Sequence, residues 1–300
     1  MGFLGFSGGG VVGEWAELNR TALITGSSSG FGLLTALTLA GRGWHVLATM
    51  RDLSRRTRLE EAGQAAGVLD RIEFLRLDVT QPEAIEALAA ELSRRKTPLH
   101  ALVNNAGFAL AGFADDVSDA ELRRQFDTNF FAATAVTRAF LPQLRRQGFG
   151  HIVMVSSISG RMGFPGISSY AASKHALEGW TESLRFELLP LGIQVALVEP
   201  GSFETDIWSR NAVVSAHSED GNSPNAARLA AWKQRLRQAR QRPDPQRVAD
   251  GIARILDEKR PRLRHVFGTD ARLALLVRAL LPRCIFERLI LKASGMDAQG

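Results

Sequence analysis

Cysteine and tyrosine are almost absent from this 300-residue sequence, which contains one of each, Cys284 and Tyr170. A single cysteine excludes an internal disulfide and is typical of a reducing compartment, so we expect a cytoplasmic protein. Histidine is also scarce. The six histidines are spread along the chain, and none pairs with another at metal-ligand spacing. The sequence therefore predicts neither a disulfide framework nor a metal site.

Long hydrophobic runs are missing as well. No apolar run approaches the roughly 20 residues that a membrane-spanning helix needs. The nearest, Ala271–Leu281, is interrupted by Arg272 and Arg278. The first residues are a poor secretion signal because they lack a basic stretch followed by a continuous apolar one. We predict no transmembrane segment and interpret residues 1–18 as a flexible arm.

Lysine is rare, at five residues, so most of the formal net charge of +6 comes from arginine. The arginines are scattered or form short clusters, at residues 55–58 and 235–242, without the interleaved aromatic side chains of a nucleic-acid-binding stripe. We interpret them as solvated helix surfaces and predict no nucleic-acid partner. With 45% apolar residues, the chain can bury one large core.

Short apolar runs with strand character alternate with helical stretches from Thr21 onward. The predicted strands are Thr21–Thr25, His45–Met50, Ile72–Val79, Ala101–Asn104, His151–Ser156, Gln194–Glu199 and Arg264–Phe267. The intervening helices include long ones over about 118–146 and 168–189. This alternation predicts an α/β fold, a Rossmann-type doubly wound parallel sheet of about seven strands. Ligands of such sheets bind beyond the carboxyl ends of the strands.

A glycine-rich turn, Thr25-Gly26-Ser27-Ser28-Ser29-Gly30-Phe31-Gly32, follows the first predicted strand and opens the first helix. Gly26 and Gly30 permit a tight turn and close approach to a pyrophosphate, and Gly32 lets the helix pack close to the sheet. The helix N-terminus adds unpaired N–H groups and the positive end of its dipole. An ordinary βα loop is the alternative, but the strand before the turn and the helix after it favour dinucleotide binding.

The spacing T-G-x-x-x-G-x-G resembles that of the short-chain dehydrogenase/reductase family in its single-domain form, and further motifs follow in the family's order. They are Asp78, Asn104-Asn105-Ala106-Gly107, Asn129, Ser157, Tyr170-Ala171-Ala172-Ser173-Lys174, and Pro200-Gly201 with Thr205. The resemblance covers about residues 19–260 and implies a nicotinamide-dependent alcohol/carbonyl oxidoreductase. It implies cofactor contacts from Gly26, Ser28, Ser29, Gly30, Phe31, Gly32, Arg51, Asp78, Val79, Asn105, Ala106, Gly107, Tyr170, Lys174, Pro200, Gly201, Phe203 and Thr205.

Tyr170 and Lys174 are four residues apart on a predicted helix, so both side chains lie on one face. A free tyrosine has a pKa of about 10, and a neighbouring ammonium lowers that pKa by favouring the phenolate. We therefore predict that Tyr170 is the acid–base group and that Lys174 tunes it. The resemblance further implies that Lys174 holds the nicotinamide ribose. It selects Ser157 over the adjacent Ser156 as the residue that binds the substrate oxygen. It also implies that Asn129 holds a water molecule that links Lys174 to solvent.

The second predicted strand ends in Thr49-Met50-Arg51-Asp52. An acid at this point favours NAD by binding the ribose 2′-OH, whereas an arginine suits the 2′-phosphate of NADP. Arg51 stands where similar NADP enzymes carry arginine, and Ser29 offers a hydroxyl. Asp52 at the next position leaves NAD(H) as the alternative cofactor. We predict NADP(H) as the preferred cofactor.

The segment A-T-M-R-D-L at residues 48–53 resembles the retinol and 17β-hydroxysteroid dehydrogenase branch of the family, which implies a bulky apolar alcohol, ketone or aldehyde as the small-molecule substrate. Residues 202–225 occupy the place of the family's substrate lid, where Trp208 either lines a pocket or packs in the core. The family implies a homodimer or homotetramer. Two other functions stay open: a non-catalytic NADP-binding regulator of the same fold, and an isomerase or dehydratase using the same Tyr–Lys pair.

The expected organisation is a flexible arm over residues 1–18, a catalytic domain over 19–268 and an amphipathic helical tail over 269–300. The tail carries apolar residues at helical spacing, with Arg272, Arg278, Arg283 and Arg288 among them. Simple packing on the domain is the favoured interpretation of this pattern. A cover over the substrate entrance, a contact with a partner subunit and peripheral contact with a membrane surface remain alternatives.

Overall fold

The structure is a computed structural model that describes residues 20–204, 212–220, 223–238 and 243–296, and the side chains of these residues except 235–238. The predicted N-terminal arm therefore lies outside the described residues, as do Thr205 and Trp208 in the predicted lid.

A seven-stranded parallel sheet forms the centre of the molecule, as predicted. The strands of the chain are β1 (Thr21–Thr25), β2 (His45–Met50), β3 (Ile72–Arg76), β4 (Ala101–Asn104), β5 (Ala109–Ala111), β6 (Gly150–Val155), β7 (Ile193–Pro200), β8 (Ala212–Val214) and β9 (Arg264–Phe267). The order in the central sheet is β3-β2-β1-β4-β6-β7-β9. The order reverses direction between β1 and β4, which is where doubly wound sheets bind ligands at the carboxyl ends of their strands.

Helices cover both faces of this sheet. The helices in the described part of the chain are α1 (Gly30–Gly41), α2 (Thr57–Ala65), α3 (Pro82–Arg94), α4 (Asp119–Phe126), α5 (Ala132–Gln147), α6 (Ser168–Leu188), α7 (Ala216–Glu219), α8 (Ala226–Gln238), α9 (Gln246–Asp257), α10 (Thr269–Leu280) and α11 (Arg283–Ser294). Side chains alternate between the faces of a strand. In β1, Ile24 therefore joins the core under α1, α2 and α9, whereas Leu23 joins the core under α3, α5 and α6. Burial on both faces explains why the strands are almost entirely apolar.

The long helix predicted over 118–146 is two helices joined by a π-helical turn. Ser118 begins α4 with a capping box in which its hydroxyl and the Glu121 carboxylate bond each other's backbone N–H groups. The π turn covers Asp127–Phe131, and α5 continues from it. Such single wide turns inside helices occur frequently at functional sites. Asn129 lies within this one.

The third strand is shorter than predicted. It ends at Arg76, whereas the prediction extended it to Val79. The Asp78 carboxylate accepts hydrogen bonds from the Thr80 N–H (3.0 Å) and the Thr80 hydroxyl (2.7 Å). These local bonds make a turn in place of continued strand pairing. Asp78 therefore lies just beyond the strand, at the edge where ligands of this fold bind.

The predicted lid is attached to the domain by a second sheet, in which β5 and β8 pair in parallel. Behind this sheet lies the buried carboxylate of Asp116. It accepts hydrogen bonds from the hydroxyls of Ser218 (2.9 Å) and Ser223 (2.7 Å). Neither β5 nor β8 was predicted, because three apolar residues carry no distinctive period.

The C-terminal segment, predicted as an amphipathic helical tail, forms two helices, α10 and α11. The break falls at Leu281-Pro282, since proline does not continue a helix. The inner sides of both helices pack against the domain through Ala271, Leu275 and Phe286. No helix in the described part of the chain combines the length and apolarity needed to cross a membrane.

Candidate active site

One cavity lies at the carboxyl ends of the central strands, and nine of the twenty predicted site residues line it. Its lining residues are Phe31, Asn105, Gly107, Phe108, Val155, Ser156, Ser157, Tyr170, Lys174, Pro200, Gly201 and Phe203. They come from segments of the chain that lie far apart in sequence. They meet because each of them follows, or faces, the carboxyl end of a strand.

The glycine turn and the turn after β4 are held together by hydrogen bonds. The Thr25 hydroxyl accepts the backbone N–H groups of Asn105 and Ala106, both at 3.0 Å. The Asn105 side chain donates to the carbonyls of Thr25 (2.9 Å) and Gly26 (3.0 Å). Thr25 thus holds the glycine turn against the turn after β4. The sequence predicted Thr25 as part of the glycine motif but did not predict this role.

Two glycines allow the glycine turn to pack closely against the turn after β4, where a side chain would clash. Gly26 has φ +71°, and a Cβ at this position would lie 2.8 Å from the Ala106 Cα. A Cβ at Gly32 would lie 2.4 Å from the Asn105 side-chain nitrogen. In addition, the first turn of α1 carries no acidic side chain that would repel an anion. These features fit a bound dinucleotide.

Ser157, Tyr170 and Lys174 form the polar centre of the cavity. Tyr170 lies in the first turn of α6 and Lys174 one turn later, and both are buried. The hydroxyl of Ser157 is hydrogen-bonded to the phenol of Tyr170. It also accepts the Ser159 N–H (3.1 Å), which fixes the serine at the end of β6. The structure therefore brings together the three side chains predicted to carry the reaction.

Lys174 contacts the backbone instead of the phenol. Its Nζ donates to the carbonyl of Val155 (2.8 Å) and lies 5.9 Å from the centroid of the Tyr170 ring. Burial lowers the pKa of Lys174 to about 8, partly opposed by the carboxylate of Glu178. Val155 was not among the predicted site residues, and no sequence signal could have found it because it acts through its carbonyl.

The predicted lowering of the Tyr170 pKa by Lys174 is not found in this structure. Burial raises the pKa of Tyr170 to about 12, and the hydrogen bond to Ser157 lowers it only in part. The physical reason is that the ring is removed from water, which disfavours the phenolate. Tyr170 is therefore a protonated phenol at neutral pH.

The two adjacent serines differ in what they contact. Ser157 reaches Tyr170, whereas the buried hydroxyl of Ser156 has no hydrogen-bond partner in the structure. Its oxygen would lie 2.7 Å from a Cβ added at Gly160. Both serines line the cavity, but only Ser157 is hydrogen-bonded to the phenol of Tyr170.

Asn129 is buried and cross-links two elements of the site. Its side-chain amide accepts the Phe108 N–H (3.1 Å) and donates to the Phe108 carbonyl (3.0 Å) and the Ser173 hydroxyl (3.3 Å). Ser173 directly precedes Lys174. Asn129 therefore connects the turn after β4 to the helix that carries the tyrosine and the lysine.

Arginines surround the carboxyl end of β2. Arg51 is exposed there. The carboxylate of Asp52 accepts the Ser54 N–H (2.9 Å) and caps a short 3₁₀ helix over Leu53–Arg56. This hydrogen bond, with the charges of Arg55 and Arg76 adding to it, holds the pKa of Asp52 below its usual value. The acid that kept NAD open in the sequence is thus engaged by its own backbone.

The segment after β7 completes one wall of the cavity. Phe203 is buried and meets Phe31 edge to face, with ring centroids 5.8 Å apart. Pro200 and Gly201 precede it, and a Cβ at Gly201 would lie 2.5 Å from a carboxylate oxygen of Asp270. Thr205, the last predicted cofactor contact, is outside the described residues.

An apolar cluster surrounds Tyr170. It contains the buried side chains of Ala109 and Ile167, with Phe164 and Trp232 packed against them. Trp232 belongs to α8, beyond the predicted lid, and was not among the predicted site residues. It lies in a helix of mixed apolar and basic residues, which gave no distinctive sequence signal.

The comparisons agree with this geometry. The family model described as short chain dehydrogenase matches residues 20–213. An uncharacterized oxidoreductase of Bacillus subtilis (strain 168) is 41% identical over 277 residues, which cover 91% of this chain and 98% of that protein. Retinol dehydrogenase 8 of Homo sapiens is 39% identical over 260 residues, covering 83% of this chain and 81% of that protein.

Solved structures give the same result. A short-chain dehydrogenase from Streptomyces avermitilis has a TM-score of 0.78 at 34% identity, covering 93% of this chain and 100% of that one. A metagenomic short-chain oxidoreductase in complex with NADP has a TM-score of 0.65 at 25% identity (83% and 96% covered). A short-chain dehydrogenase/reductase from Burkholderia phymatum in complex with NAD has a TM-score of 0.74 at 26% identity (90% and 95% covered). The chain belongs to the short-chain dehydrogenase/reductase family and is an NAD(P)-dependent oxidoreductase.

Proposed function

We propose that this protein interconverts a bulky apolar alcohol and its ketone or aldehyde with NADP(H), and that Tyr170 is its acid–base group. The observation that carries the proposal is the position of the Tyr170 hydroxyl. It is hydrogen-bonded to Ser157 and lies in a cavity that is also lined by Lys174, by Phe31 of the glycine turn and by Gly107 after β4. A non-catalytic regulator of the same fold would need none of these three polar side chains.

The reaction divides between the cofactor and the protein. A bound nicotinamide supplies or accepts the hydride. In reduction, Ser157 donates a hydrogen bond to the carbonyl oxygen and stabilises the negative charge that develops on it. Tyr170 transfers its phenolic proton to the same oxygen, so that the carbonyl gains one hydride and one proton. In oxidation, Tyr170 accepts the hydroxyl proton of the alcohol.

Lys174 is assigned to the nicotinamide ribose. Its Nζ donates to the Val155 carbonyl and lies in the same cavity as Tyr170. Asn129 keeps the lysine-bearing turn of α6 in place through Ser173. We assign Ser157 and Tyr170 to the substrate, Lys174 to the ribose, and Asn129 to the positioning of Lys174.

The arginine-rich end of β2 supports NADP over NAD. Arg51 is exposed at the strand end. The neighbouring carboxylate of Asp52 is committed to capping the 3₁₀ helix. A ribose 2′-phosphate would gain from the cationic environment of Arg51 and Arg76.

The apolar cluster around Tyr170 supports a bulky apolar substrate. Phe164 and Trp232 present large ring surfaces next to the reacting phenol. Such surfaces stabilise a large hydrocarbon skeleton by removing it from water. The similarity to retinol dehydrogenase 8 points in the same direction.

The test is a nicotinamide absorbance assay with NADPH and a panel of carbonyl compounds of increasing apolar size, from acetone to retinal and a steroid ketone. We expect kcat/KM to rise with size by about 100-fold or more. Trp232→Ala should lower kcat/KM for the large substrates and leave that for the small ones unchanged. Trp180 is partly buried against the core under α3, α5 and α6. Trp180→Phe is the control and should leave kcat/KM unchanged for substrates of every size. If NADPH binds but no compound oxidises it, the regulator becomes the better assignment.

A further inference from the structure

The two C-terminal helices present an unusual apolar surface to solvent. We call α10 and α11 together the C-terminal hairpin. Among the described residues, eleven large apolar side chains are exposed, and the hairpin carries six of them: Leu273, Leu276, Leu280, Ile285, Leu289 and Leu291. Single exposed apolar residues need no explanation, but a contiguous group marks an interaction surface.

The apolar stripe on α10 is opposite the face that packs on the domain. Ala271 and Leu275 contact the domain. Leu273, Leu276 and Leu280 are spaced i, i+3 and i+7, so they share the other side of the helix. Their exposed fractions are 61%, 54% and 72%. Packing on the domain explains the apolar residues on the inner face of α10. It does not explain the three leucines on the outer face.

Basic side chains accompany the apolar stripe. Residues 269–296 contain five basic residues, Arg272, Arg278, Arg283, Arg288 and Lys292, against two acidic ones, Asp270 and Glu287. The Asp270 carboxylate is engaged with the Ser202 N–H (2.8 Å). On α11, Arg288 and Lys292 are four residues apart on the exposed side. The hairpin therefore offers solvent an apolar and cationic surface.

We propose that the C-terminal hairpin binds the surface of an anionic lipid bilayer. Leucine side chains of such a surface enter the boundary between headgroups and acyl chains, and arginine and lysine extend to the lipid phosphates. Anionic headgroups complement the net charge of +3 on the hairpin. A second copy of the chain fits less well, because a two-fold contact through this surface would bring its arginines against those of the partner.

The hairpin is also close to the cavity. Phe164 contacts both the cluster around Tyr170 and the inner face of the hairpin. Asp270, at the start of α10, lies against Gly201 in the cavity wall. A bilayer bound to the outer face of the hairpin would thus lie near the entrance of the site. The binding itself does not depend on the proposed substrate.

The only cysteine gives a direct readout, because Cys284 is exposed on α11. A polarity-sensitive fluorophore attached to Cys284 of the full chain is titrated with vesicles of phosphatidylglycerol and phosphatidylcholine in equal parts, and with vesicles of phosphatidylcholine alone. We expect a blue shift of emission and co-sedimentation with the anionic vesicles. Phosphatidylcholine vesicles should bind at least about tenfold more weakly.

Variants of the hairpin test whether its exposed leucines and basic side chains are responsible for vesicle binding. Leu273→Ser, Leu276→Ser and Leu280→Ser combined should weaken binding at least about tenfold, since apolar burial contributes most of such binding. Arg288→Gln with Lys292→Gln should remove the preference for anionic vesicles. Phe186→Ser, an exposed apolar residue of α6 outside the hairpin, is the matched control and should bind like the unaltered chain. Nicotinamide binding reports that each variant is folded.

Three results would overturn the proposal. One is the absence of any shift or co-sedimentation with anionic vesicles. Another is unchanged binding by the triple leucine variant. The third is self-association of the protein, seen by sedimentation without lipid and abolished by the same variant, which would make the hairpin a contact between copies. None of these results bears on the assignment of Tyr170.

Discussion

At the scale of single residues, burial has the largest effect on the chemistry of the site. It raises the pKa of Tyr170 to about 12 and lowers that of Lys174 to about 8. Both groups are thus moved toward their neutral forms. The lysine nevertheless stays mostly protonated at neutral pH and the tyrosine fully so. This is the pair of protonation states from which carbonyl reduction can start.

Arg51 carries the predicted preference for NADP. Arg51→Asp should lower the ratio of kcat/KM with NADPH to kcat/KM with NADH by about tenfold or more, because a carboxylate repels the 2′-phosphate and accepts a hydrogen bond from a 2′-OH. The measurement is initial rates with both cofactors. Arg58→Asp, farther along the same segment, is the control for general charge and should change the ratio little. An unaltered ratio in Arg51→Asp would refute the role of Arg51.

Some contacts of the individual site residues were predictable from the sequence. The spacing of Tyr170 and Lys174 predicts a shared helix face, and the two do share one. The family spacing was needed to choose Ser157 over Ser156. The carbonyl of Val155 and the raised pKa of Tyr170 were not predictable, because both depend on what tertiary packing places around α6.

At the scale of elements, long periodic segments were predictable and short or irregular ones were not. β1, β2, β4 and β9 have the bounds that the sequence predicted. The π turn at Asp127–Phe131 was missed because it adds one residue to a helical turn without changing the composition. The pairing of β5 with β8 joins segments about a hundred residues apart, which no local pattern indicates.

The buried carboxylate of Asp116 should hold the predicted lid to the domain. Asp116→Ala leaves the hydroxyls of Ser218 and Ser223 without their acceptor, which costs about 1–3 kcal/mol of local stability. We expect faster hydrogen exchange over residues 212–220 and a higher KM for large substrates, with little change in kcat. Exchange measured by mass spectrometry checks this. Equal loss of protection in β6 would instead mean global destabilisation.

At the scale of the whole molecule, a buried ionic cluster connects the sheet to α6. Glu199 in β7 is fully buried and bonds Arg161 (3.2 Å). Arg264 in β9 lies 3.4 Å from Glu199 and 3.1 Å from Glu178. Burial, reinforced by the charge of Glu178, raises the pKa of Glu199 to about 7. The carboxylate of Glu178 also opposes the lowering of the Lys174 pKa by burial, so the electrostatics of the core and of the cavity are connected.

The raised pKa of Glu199 predicts a dependence of stability on pH. The unfolded carboxyl ionises near 4.5, whereas the folded one keeps its proton to about 7. The folded state therefore binds more protons between these values, and its stability falls as pH rises through this window. Glu199→Gln should reduce the loss of unfolding free energy between about pH 5 and about pH 8 by on the order of 2 kcal/mol. Denaturant titrations at the two pH values measure it.

Glu182 provides the control for this prediction. It bonds Arg264 (2.8 Å), and this hydrogen bond lowers its pKa below the ordinary 4.5. Its titration therefore lies below the window, and Glu182→Gln should leave the difference between the two pH values unchanged. A Glu199→Gln variant with the same pH dependence as the unaltered protein would contradict the assignment of the raised pKa.

The most direct measurement is turnover of Tyr170→Phe beside its NADPH affinity. We expect kcat for carbonyl reduction to fall by about a thousandfold, the typical contribution of acid–base catalysis. NADPH should bind with nearly unchanged affinity, because the phenylalanine ring fills the same apolar cluster. Turnover that persists in the folded variant, with cofactor bound, would show that Tyr170 is not the acid–base group.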